Sequence, residues 1–390
     1  MGARVLVTGV STRAAAESAA RAGFAVTALD AYGDLDQHAA VRGLALPRDF
    51  GVRFTPGAAA RASRSLDVDA VAYLSSYENR GGAVRTLAAG RALWGNPPAV
   101  LARVRDPLAL ADALRSRGCA APRTRATAPD GAGADAPDGW LLKPRASGGG
   151  QGVREWRPGA AVPRSAYLQE RIVGTPASVV FVAARGRAVP LGLSRQLVGD
   201  AAFGARGFRY CGSVLAGAGD AQLHDDGPLF GRAVALAQAA AAEYELVGVN
   251  GVDFVARGGV PYAIEVNPRY CASMELAERH YGVSVFGAHA AACAGGALPA
   301  FELAEARRAT AAVGKAVLFA RRAVRAGDTR PWLDDASVRD VPHPGERIGA
   351  GQPVCTVFAD GADGGACYAA LVRRAELVYA ELDAWERAAA

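Results

Sequence analysis

The chain has 390 residues, a length that indicates two or three domains. Hydrophobic residues make up 51% and charged residues 21%, which excludes a disordered chain and supplies enough apolar surface for large cores. The formal charge is +6, but the basic residues are dispersed and no groove-reading motif accompanies them, so we predict no nucleic-acid partner. Apolar runs stay shorter than the roughly 18 residues of a membrane span, and no leader pattern precedes the first strand. We therefore predict a cytoplasmic protein with no membrane partner.

The first segment alternates strands and helices, as expected of a parallel sheet with crossover helices. The pattern predicts strands at Arg4–Thr8, Phe24–Leu29 and Ala70–Leu74, and helices at Ser11–Ala22 and Gly82–Leu93. The residues after the first strand lack the G-x-G-x-x-G pattern of dinucleotide-binding folds. We interpret residues 1–98 as a Rossmann-like α/β domain that does not bind NAD.

The middle of the chain has longer strands separated by turns. Predicted strands are Trp140–Lys143, Tyr167–Ile172, Ser178–Ala184, Ala188–Arg195, Leu246–Ala256 and Val260–Val266; predicted helices are Asp106–Gly118, Pro228–Tyr244 and Val283–Ala294. A Pro/Gly-rich loop is predicted at Ala126–Gly139, and the last two strands form a hairpin that turns at Arg257-Gly258-Gly259.

The last segment is rich in short strands punctuated by proline and glycine. Strands are predicted at Lys315–Arg321, Val338–Val341 and Val354–Phe358, followed by a helix at Tyr368–Arg387. With these changes in pattern we divide the chain into domains at residues 1–98, 99–185, 186–305 and 306–390, the last being a small C-terminal β-rich module.

A lysine followed by a glycine-rich stretch is the strongest local signal. Lys143 and Lys315 are the only lysines among 44 basic residues. Because arginine is used almost everywhere else, we infer that each lysine has a role that arginine cannot fill. Lys143 ends a predicted strand, and Ser147, Gly148, Gly149 and Gly150 follow. Glycines let backbone N–H groups approach a polyphosphate, while a compact ammonium acts on it as a point charge. The alternative interpretation is a surface turn with an incidental lysine.

Carboxylate and amide side chains on the predicted hairpin form the second signal. Asp253 lies on its first strand, and Glu265 and Asn267 alternate with apolar residues on its second. Residues two apart in a strand share a face, so Glu265 and Asn267 point the same way. Mg²⁺ prefers such hard oxygen ligands together with substrate phosphates, and Arg269 follows where it would stabilise a transferring phosphoryl group. The alternative is a hairpin with solvated polar ends.

Together the two signals resemble the ATP-grasp superfamily over about residues 103–296, most closely its biotin-carboxylase-related carboxylate–amine ligases. The resemblance implies a multidomain α/β and α+β protein: an ATP-grasp fold with a preceding Rossmann-like domain and the small C-terminal β-rich module. Its phosphate-binding lysine is matched by Lys143 and its glycine lid by residues 147–152. Its catalytic arginine is matched by Arg269. The residues that the resemblance assigns to the metal are Asp253, Glu265 and Asn267.

The strand from Tyr167 to Gly174 matches the family's hinge, which holds adenine. Residues assigned to the nucleotide there are Gln169, Glu170, Ile172 and Val173. Two positions depart from the family pattern: Arg105 replaces an upstream phosphate lysine, and Ser178 stands where a ribose-binding glutamate is common. Weaker predictions, from position alone, assign substrate contacts to Glu78, Asn79, Arg195, Ser273 and Glu275, with a helix cap as the alternative role of Glu78 and Asn79.

The resemblance implies an ADP-forming carbon–nitrogen ligase that uses ATP and Mg²⁺, with Mn²⁺ as an alternative ion. Its partners would be a small carboxylate and an amine, and related enzymes are often homodimers. An amino-acid or glutamate ligase of one-carbon cofactor biosynthesis, of the tetrahydromethanopterin or methanofuran type, is one specific hypothesis. The alternatives are a bicarbonate-activating carboxylase-like enzyme and a nucleotide-binding regulatory protein without turnover.

Overall fold

The computed structural model describes residues 2–129, 136–223, 226–308 and 311–389. Residues 130–135 of the predicted loop Ala126–Gly139 lie outside these ranges. Across the parts of the chain that the structure describes, no helix is both long enough and apolar enough to cross a membrane.

The first segment forms a parallel sheet in the order β3-β2-β1-β4-β5. Its elements are β1 (Arg4–Thr8), α1 (Arg13–Arg21), β2 (Ala25–Asp30), β3 (Val41–Ala45), α2 (Leu46–Phe50), α3 (Pro56–Ala62), β4 (Ala70–Tyr73), α4 (Gly81–Ala88) and β5 (Ala92–Trp94). The predicted helix Gly82–Leu93 is wrong at its end: Ala89 is extended and Gly90 has φ +73°, so the chain leaves the helix and enters β5. Gly90 adopts this left-handed conformation without a Cβ penalty.

Two helices lead from the first segment to a small antiparallel sheet. The elements are α5 (Pro98–Val104), α6 (Pro107–Ser116), β6 (Thr124–Arg125), β7 (Trp140–Pro144), β8 (Arg154–Glu155) and β9 (Ala166–Glu170). The strand order is β6-β9-β7-β8, with Trp140, Leu142 and Leu168 in its core. Lys143 and the glycine stretch therefore lie on the central strand β7 and in the turn that follows it.

A larger antiparallel sheet occupies the rest of the chain, in the order β14-β13-β10-β11-β12-β15-β19-β17. Its first part comprises β10 (Thr175–Ala184), β11 (Arg187–Val198), β12 (Tyr210–Leu215), α7 (Asp226–Tyr244), β13 (Gly248–Arg257), β14 (Val260–Asn267), α8 (Met274–Tyr281), α9 (Val285–Gly295) and α10 (Leu303–Ala306). Its second part comprises β15 (Ala312–Phe319), β16 (Val324–Arg325), β17 (Val338–Arg339), β18 (Arg347–Ile348), β19 (Pro353–Gly361) and α11 (Gly364–Ala389).

The C-terminal segment is β-rich, as predicted, and it extends the larger sheet: β15 pairs with β12, β19 with β15, and β17 with β19. The multidomain α/β and α+β fold class is confirmed. The positions of the domain boundaries stay a prediction.

The larger sheet has a different neighbour on each face. Alternate residues such as Val179 and Phe181 pack on α7, while Val180 and Val182 point the other way, into a core shared with α9 and the first segment. That shared core includes Val5, in β1, so the two sheets are joined by continuous apolar packing. The loop that follows β4 is thereby held beside the end of β14.

Candidate nucleotide and metal site

The Lys143 ammonium lies in a cleft between the two antiparallel sheets. Lys143 is 9% exposed and its Nζ donates a hydrogen bond to Gln169 Oε1 at 3.1 Å, while Gln169 Nε2 donates to the Ile264 carbonyl at 3.2 Å. Burial lowers the pKa of Lys143, and the nearby Glu265 carboxylate opposes that shift. The same cleft is lined by Glu265, Ser147 and Tyr167. The lysine and the hairpin carboxylate therefore face one space, as the sequence predicted.

Arg105 connects the parts of this cleft. Its Nη1 donates to the Val266 carbonyl at 3.0 Å and to Glu265 Oε2 at 3.4 Å, and its Nη2 donates to the Ser147 carbonyl at 3.2 Å. One guanidinium thus touches the hairpin and the start of the glycine stretch. This position fits the predicted role of Arg105 in replacing an upstream lysine near the phosphates.

The three predicted metal ligands are neighbours on β13 and β14. Asp253 pairs with Glu265 and Gly251 with Asn267 in the register, and a bulge follows Asp253. Asp253 Oδ2 accepts a hydrogen bond from Asn267 Nδ2 at 2.8 Å, and its Oδ1 accepts one from Gln196 Nε2 at 2.9 Å. Two carboxylates and an amide are therefore presented together on one face of the sheet.

The pKa values of the Asp253 and Glu265 carboxyl groups are shifted in opposite directions. Burial, and then the charge of Glu265, raise the pKa of Asp253 to about 7. Burial acts in the same direction on Glu265, but Arg105, Lys143 and Arg269 outweigh it and hold its pKa below the usual range. The difference arises because the three cations have the larger effect on Glu265, while Asp253 is influenced mainly by burial and by the Glu265 charge.

The chemistry of this donor set fits Mg²⁺. Within the described residues, no cluster of three or more His, Cys, Asp or Glu side chains could hold a metal ion by itself. Mg²⁺ is commonly held by only one or two carboxylates, with waters and substrate phosphates completing the octahedron. Asp253, Glu265 and Asn267 match that requirement better than they match zinc, which needs nitrogen or sulfur ligands.

Arg269 is held on several sides next to Asn267. Its Nη2 donates to Asn267 Oδ1 at 3.0 Å, its Nη1 to the Tyr270 carbonyl at 3.1 Å, and its Nε to Glu78 Oε1 at 2.9 Å. The side chain is 13% exposed. The predicted catalytic arginine is thus fixed beside the predicted metal ligands.

The glycine stretch rests on the larger sheet. The backbone N–H of Tyr210, at the start of β12, donates to the Gly149 carbonyl at 3.1 Å. A Cβ on Gly150 would lie 1.8 Å from the Phe208 carbonyl oxygen, and Gly150 has φ +76°, so no other residue fits there. Gly148 precedes this contact. The glycine stretch therefore packs against residues 208–210, at the start of β12.

The predicted adenine-binding strand runs along the edge of the cleft. Glu170 is the last residue of β9, and both of its carboxylate oxygens accept hydrogen bonds from Arg123. Ile172 and Val173 follow in the connection to β10, and Val173 is 54% exposed. Adenine contacts of these residues stay a prediction.

Adjacent residues of β11 point to opposite faces of the larger sheet. We call the sheet face that carries the predicted metal ligands the metal face. Ser178 of β10 pairs with both Asp253 and Ser194, so it lies on this face, and its Oγ is 3.3 Å from Ser194 Oγ. Gln196 faces the same way and holds Asp253. The ribose contact of Ser178 is untested.

Arg195 lies on the other face. Its guanidinium is 5.9 Å from the ring centroid of Tyr368, in α11. The prediction that Arg195 faces the active site is wrong, because the strand alternates and Gln196 takes that direction. Alternation places Ser194 and Gln196 on one face, but only the contacts with Ser178 and Asp253 show which face that is.

Two further predicted substrate residues, Ser273 and Glu275, lie at the start of α8. Glu275 is 4% exposed, and its two oxygens accept from Arg13 at 3.0 Å and from Lys315 at 2.6 Å. The second lysine thus balances a buried carboxylate, and the acceptor contact of Glu275 stays a prediction. Ser273 is buried directly before α8, and its substrate contact is untested.

Glu78 and Asn79 belong to the loop after β4, and both face arginines of the site. Glu78 contacts Arg269 as described, and Asn79 Oδ1 accepts from Arg105 Nε at 3.1 Å. Neither caps the following helix, because α4 has Arg80 at its N-cap and no side-chain cap bond. The helix-cap alternative is therefore wrong for this pair.

Residues 104–273 match the family model of the ATP-grasp domain. The match spans the cleft from Arg105 to Ser273, and so it contains Lys143, the glycine stretch and the metal-face hairpin.

Solved structures of ATP-grasp enzymes share the fold over nearly the whole chain. The biotin carboxylase domain of Hydrogenobacter thermophilus 2-oxoglutarate carboxylase is 14% identical, with 96% of this chain and 88% of that chain covered and a TM-score of 0.68. L-amino acid ligase from Bacillus licheniformis is 13% identical, with 96% and 97% covered and a TM-score of 0.66. N5-carboxyaminoimidazole ribonucleotide synthetase from Thermotoga maritima is 14% identical, with 96% and 98% covered and a TM-score of 0.66. No curated protein matches the chain.

Proposed function

We propose that the protein is an ADP-forming ligase that phosphorylates a small carboxylate with ATP and transfers the acyl group to an amine. The observation that carries this proposal is the convergence of Lys143, Arg105 and Arg269 on Glu265, with Asp253 and Asn267 beside it. Three cations around two carboxylates and an amide suit a metal-bound triphosphate, whose negative charge needs both kinds of partner.

The proposed reaction has two steps. A carboxylate oxygen of the substrate bonds to the γ-phosphorus as the bond to the β–γ bridging oxygen breaks, which gives an acylphosphate and ADP. The amine nitrogen then attacks the acyl carbon, inorganic phosphate leaves, and the nitrogen loses a proton. A catalytic nucleophile from the protein is unnecessary, so the side chains act by positioning and charge stabilisation.

The residues of the cleft have distinct parts in this proposal. Lys143 and Arg105 bind phosphate oxygens, and Arg269 stabilises charge on the transferring phosphoryl group. Mg²⁺ bound to Asp253, Glu265 and Asn267 would neutralise phosphate charge. The glycine stretch, which already rests on β12, excludes water that would hydrolyse the acylphosphate.

Two structural neighbours support different substrates for activation by ATP. One is named an L-amino acid ligase, which favours a carboxylate–amine reaction here. Another is a biotin carboxylase domain solved with MgADP and bicarbonate, which supports bicarbonate activation as the second candidate. The role in one-carbon cofactor biosynthesis stays a prediction from the sequence.

The experiment that separates these functions is an ADP-release screen of carboxylates and amines in pairs, with bicarbonate alone as one condition. The ligase predicts ADP release that requires both substrates and a hydroxamate when hydroxylamine replaces the amine. Bicarbonate-dependent ADP release without an amine supports the second candidate. Release of AMP and pyrophosphate would contradict phosphoryl transfer, and nucleotide binding without turnover would indicate a regulatory protein.

A further inference from the structure

The loop after β4 brings two polar side chains of the first segment against two arginines of the ATP-grasp domain. Glu78 is 3% exposed and pairs with Arg269, and the adjacent Asn79 accepts from Arg105. We infer that Glu78 and Asn79 are positioning residues for phosphoryl transfer: they orient Arg269 and Arg105 without touching the substrate. This inference rests on the function proposed above.

Glu78 has the geometry of an orienting residue. Its Oε1 accepts from Arg269 Nε at 2.9 Å, and its Oε2 accepts from the backbone N–H of Ser76 at 3.0 Å. Ser76 has φ +85°, an uncommon conformation for a residue with a side chain, and this bond helps to retain it. Both carboxylate oxygens accept hydrogen bonds from the protein, and the buried side chain is turned toward Arg269 and away from solvent.

Glu78 takes the single Nε–H of Arg269, and the terminal nitrogen Nη2 keeps a second N–H beyond the one it donates to Asn267. Glu78 binds Nε, at the base of the guanidinium, while Asn267 and the Tyr270 carbonyl bind the two terminal nitrogens. Contacts on three sides fix the plane of the group beside the metal ligands. A guanidinium fixed in this way needs no reorganisation when charge develops on a phosphoryl group.

Asn79 acts on Arg105 in a parallel manner. It accepts from Nε, and the terminal nitrogens reach the hairpin and the Ser147 carbonyl. Because Arg105 lies at the Lys143 cleft, its position bears on ground-state nucleotide binding. Loss of Asn79 therefore affects nucleotide affinity, whereas loss of Glu78 affects the rate of transfer.

The loop is well placed to hold these positions. Tyr77 is fully buried, and the Tyr73 hydroxyl, in β4, donates to the Asn96 carbonyl at 2.8 Å. Asn96 in turn donates to Asn250 Oδ1 at 2.9 Å and to the Pro268 carbonyl at 3.2 Å. The first segment is therefore tied to the end of β14 through a hydrogen-bond network next to Arg269.

The test compares Glu78→Gln with a matched control in the full-length protein. The control is Asp226→Asn, since Asp226 is also buried, pairs with Arg307 at 2.6 Å, and accepts a backbone N–H from Gly219. We expect Glu78→Gln to lower kcat for ATP turnover about 10- to 100-fold with little change in the Kd for MgADP, as found when supporting partners of a site are removed. Asp226→Asn is expected to lower thermal stability to a similar extent but leave kcat unchanged.

A double-mutant cycle with Arg269→Ala tests whether Glu78 acts through the arginine. We expect Glu78→Gln to cause almost no further loss in the Arg269→Ala background, because residues that act as a unit are not additive. Additive losses, or a wild-type kcat for Glu78→Gln, would overturn the inference. If Glu78→Gln does not fold, Glu78→Asp takes its place in the same cycle.

The test of Asn79 measures only the affinity for nucleotide. Asn79→Ala is expected to raise the Kd for MgADP about 3- to 10-fold, the effect of losing one hydrogen bond of typical net strength, and an unchanged Kd would overturn this part. If the wild-type protein binds MgADP but shows no turnover under any condition, the proposed function fails while this arm still decides the role of Asn79.

Discussion

Replacing Lys143 with methionine removes the ammonium and keeps most of the side-chain volume. The ammonium is buried at the floor of the cleft, with Gln169 Oε1 as its hydrogen-bond acceptor at 3.1 Å. Removing one preorganised charged donor costs about 2.7–4 kcal/mol of transition-state stabilisation, or about 10²–10³-fold in kcat. Since Arg105 and Arg269 still offset phosphate charge, we expect a loss near 10²-fold.

The same substitution is expected to change stability little. Burial lowers the pKa of Lys143, so the folded protein disfavours the charged form and gains when the charge is removed. Gln169 Oε1 loses its donor, at a cost of about 1–3 kcal/mol, which offsets that gain. The net change should stay within about 4 °C in Tm.

The assay is ADP release by Lys143→Met and by Lys143→Arg, with Tm measured for both. A compact ammonium site predicts that arginine does not restore turnover, because its planar guanidinium is broader. Wild-type turnover of Lys143→Met, or unfolding that accounts for its loss of turnover, would refute the reasoning.

Three further predictions concern the lid, a buried charge and the two faces of β11. Gly150→Ala should lower kcat at least tenfold because its Cβ would overlap a carbonyl oxygen, whereas Gly149→Ala, with nothing within 4 Å of its Cβ, should have a smaller effect; equal losses measured by ADP release would contradict the lid contact. Glu275→Gln should lower the free energy of unfolding in urea by about 3–5 kcal/mol at pH 7, because it leaves buried cations unpaired. Arg13 and Lys315 outweigh burial and hold the pKa of Glu275 well below its usual range, so its stabilisation is present above about pH 4.3 and is lost as pH falls through the folded pKa; a cost that persists undiminished in strong acid would contradict this. Gln196→Ala should weaken Mg²⁺-dependent nucleotide binding and Arg195→Gln should not, as calorimetry would show; the reverse order would mean that the faces are misassigned.

Much of the site was predictable because its chemistry depends on local sequence. Lys143 and the glycines are contiguous, and the alternation of Glu265 and Asn267 fixes their common face whatever the rest of the fold does. Both signals also match the ATP-grasp pattern, which supplied their relation in space. The parallel sheet of the first segment was likewise predictable from alternating strands and helices.

The unpredicted parts depend on contacts between distant residues. Sequence spacing carried no information that Glu78 lies beside Arg269 or that Lys315 lies beside Glu275, since neither pair shares an element. β12 was missed because glycines interrupt the preceding residues, yet it carries the Tyr210 N–H that meets the lid. The direction of the Arg195 side chain was wrongly predicted because alternation along one strand shows which residues share a face. It does not show which of the two faces points toward the active site.

The central claim is that Lys143, Arg269 and the metal-face hairpin bind one triphosphate. A crystal structure with Mg²⁺ and a non-hydrolysable ATP analogue tests it most directly. We predict a Mg²⁺ ion at about 2.0–2.1 Å from oxygens of the Asp253, Glu265 and Asn267 set and the phosphates, with Lys143 Nζ in hydrogen-bond contact with a phosphate oxygen. A nucleotide bound elsewhere, with this cleft occupied only by solvent, would contradict the account.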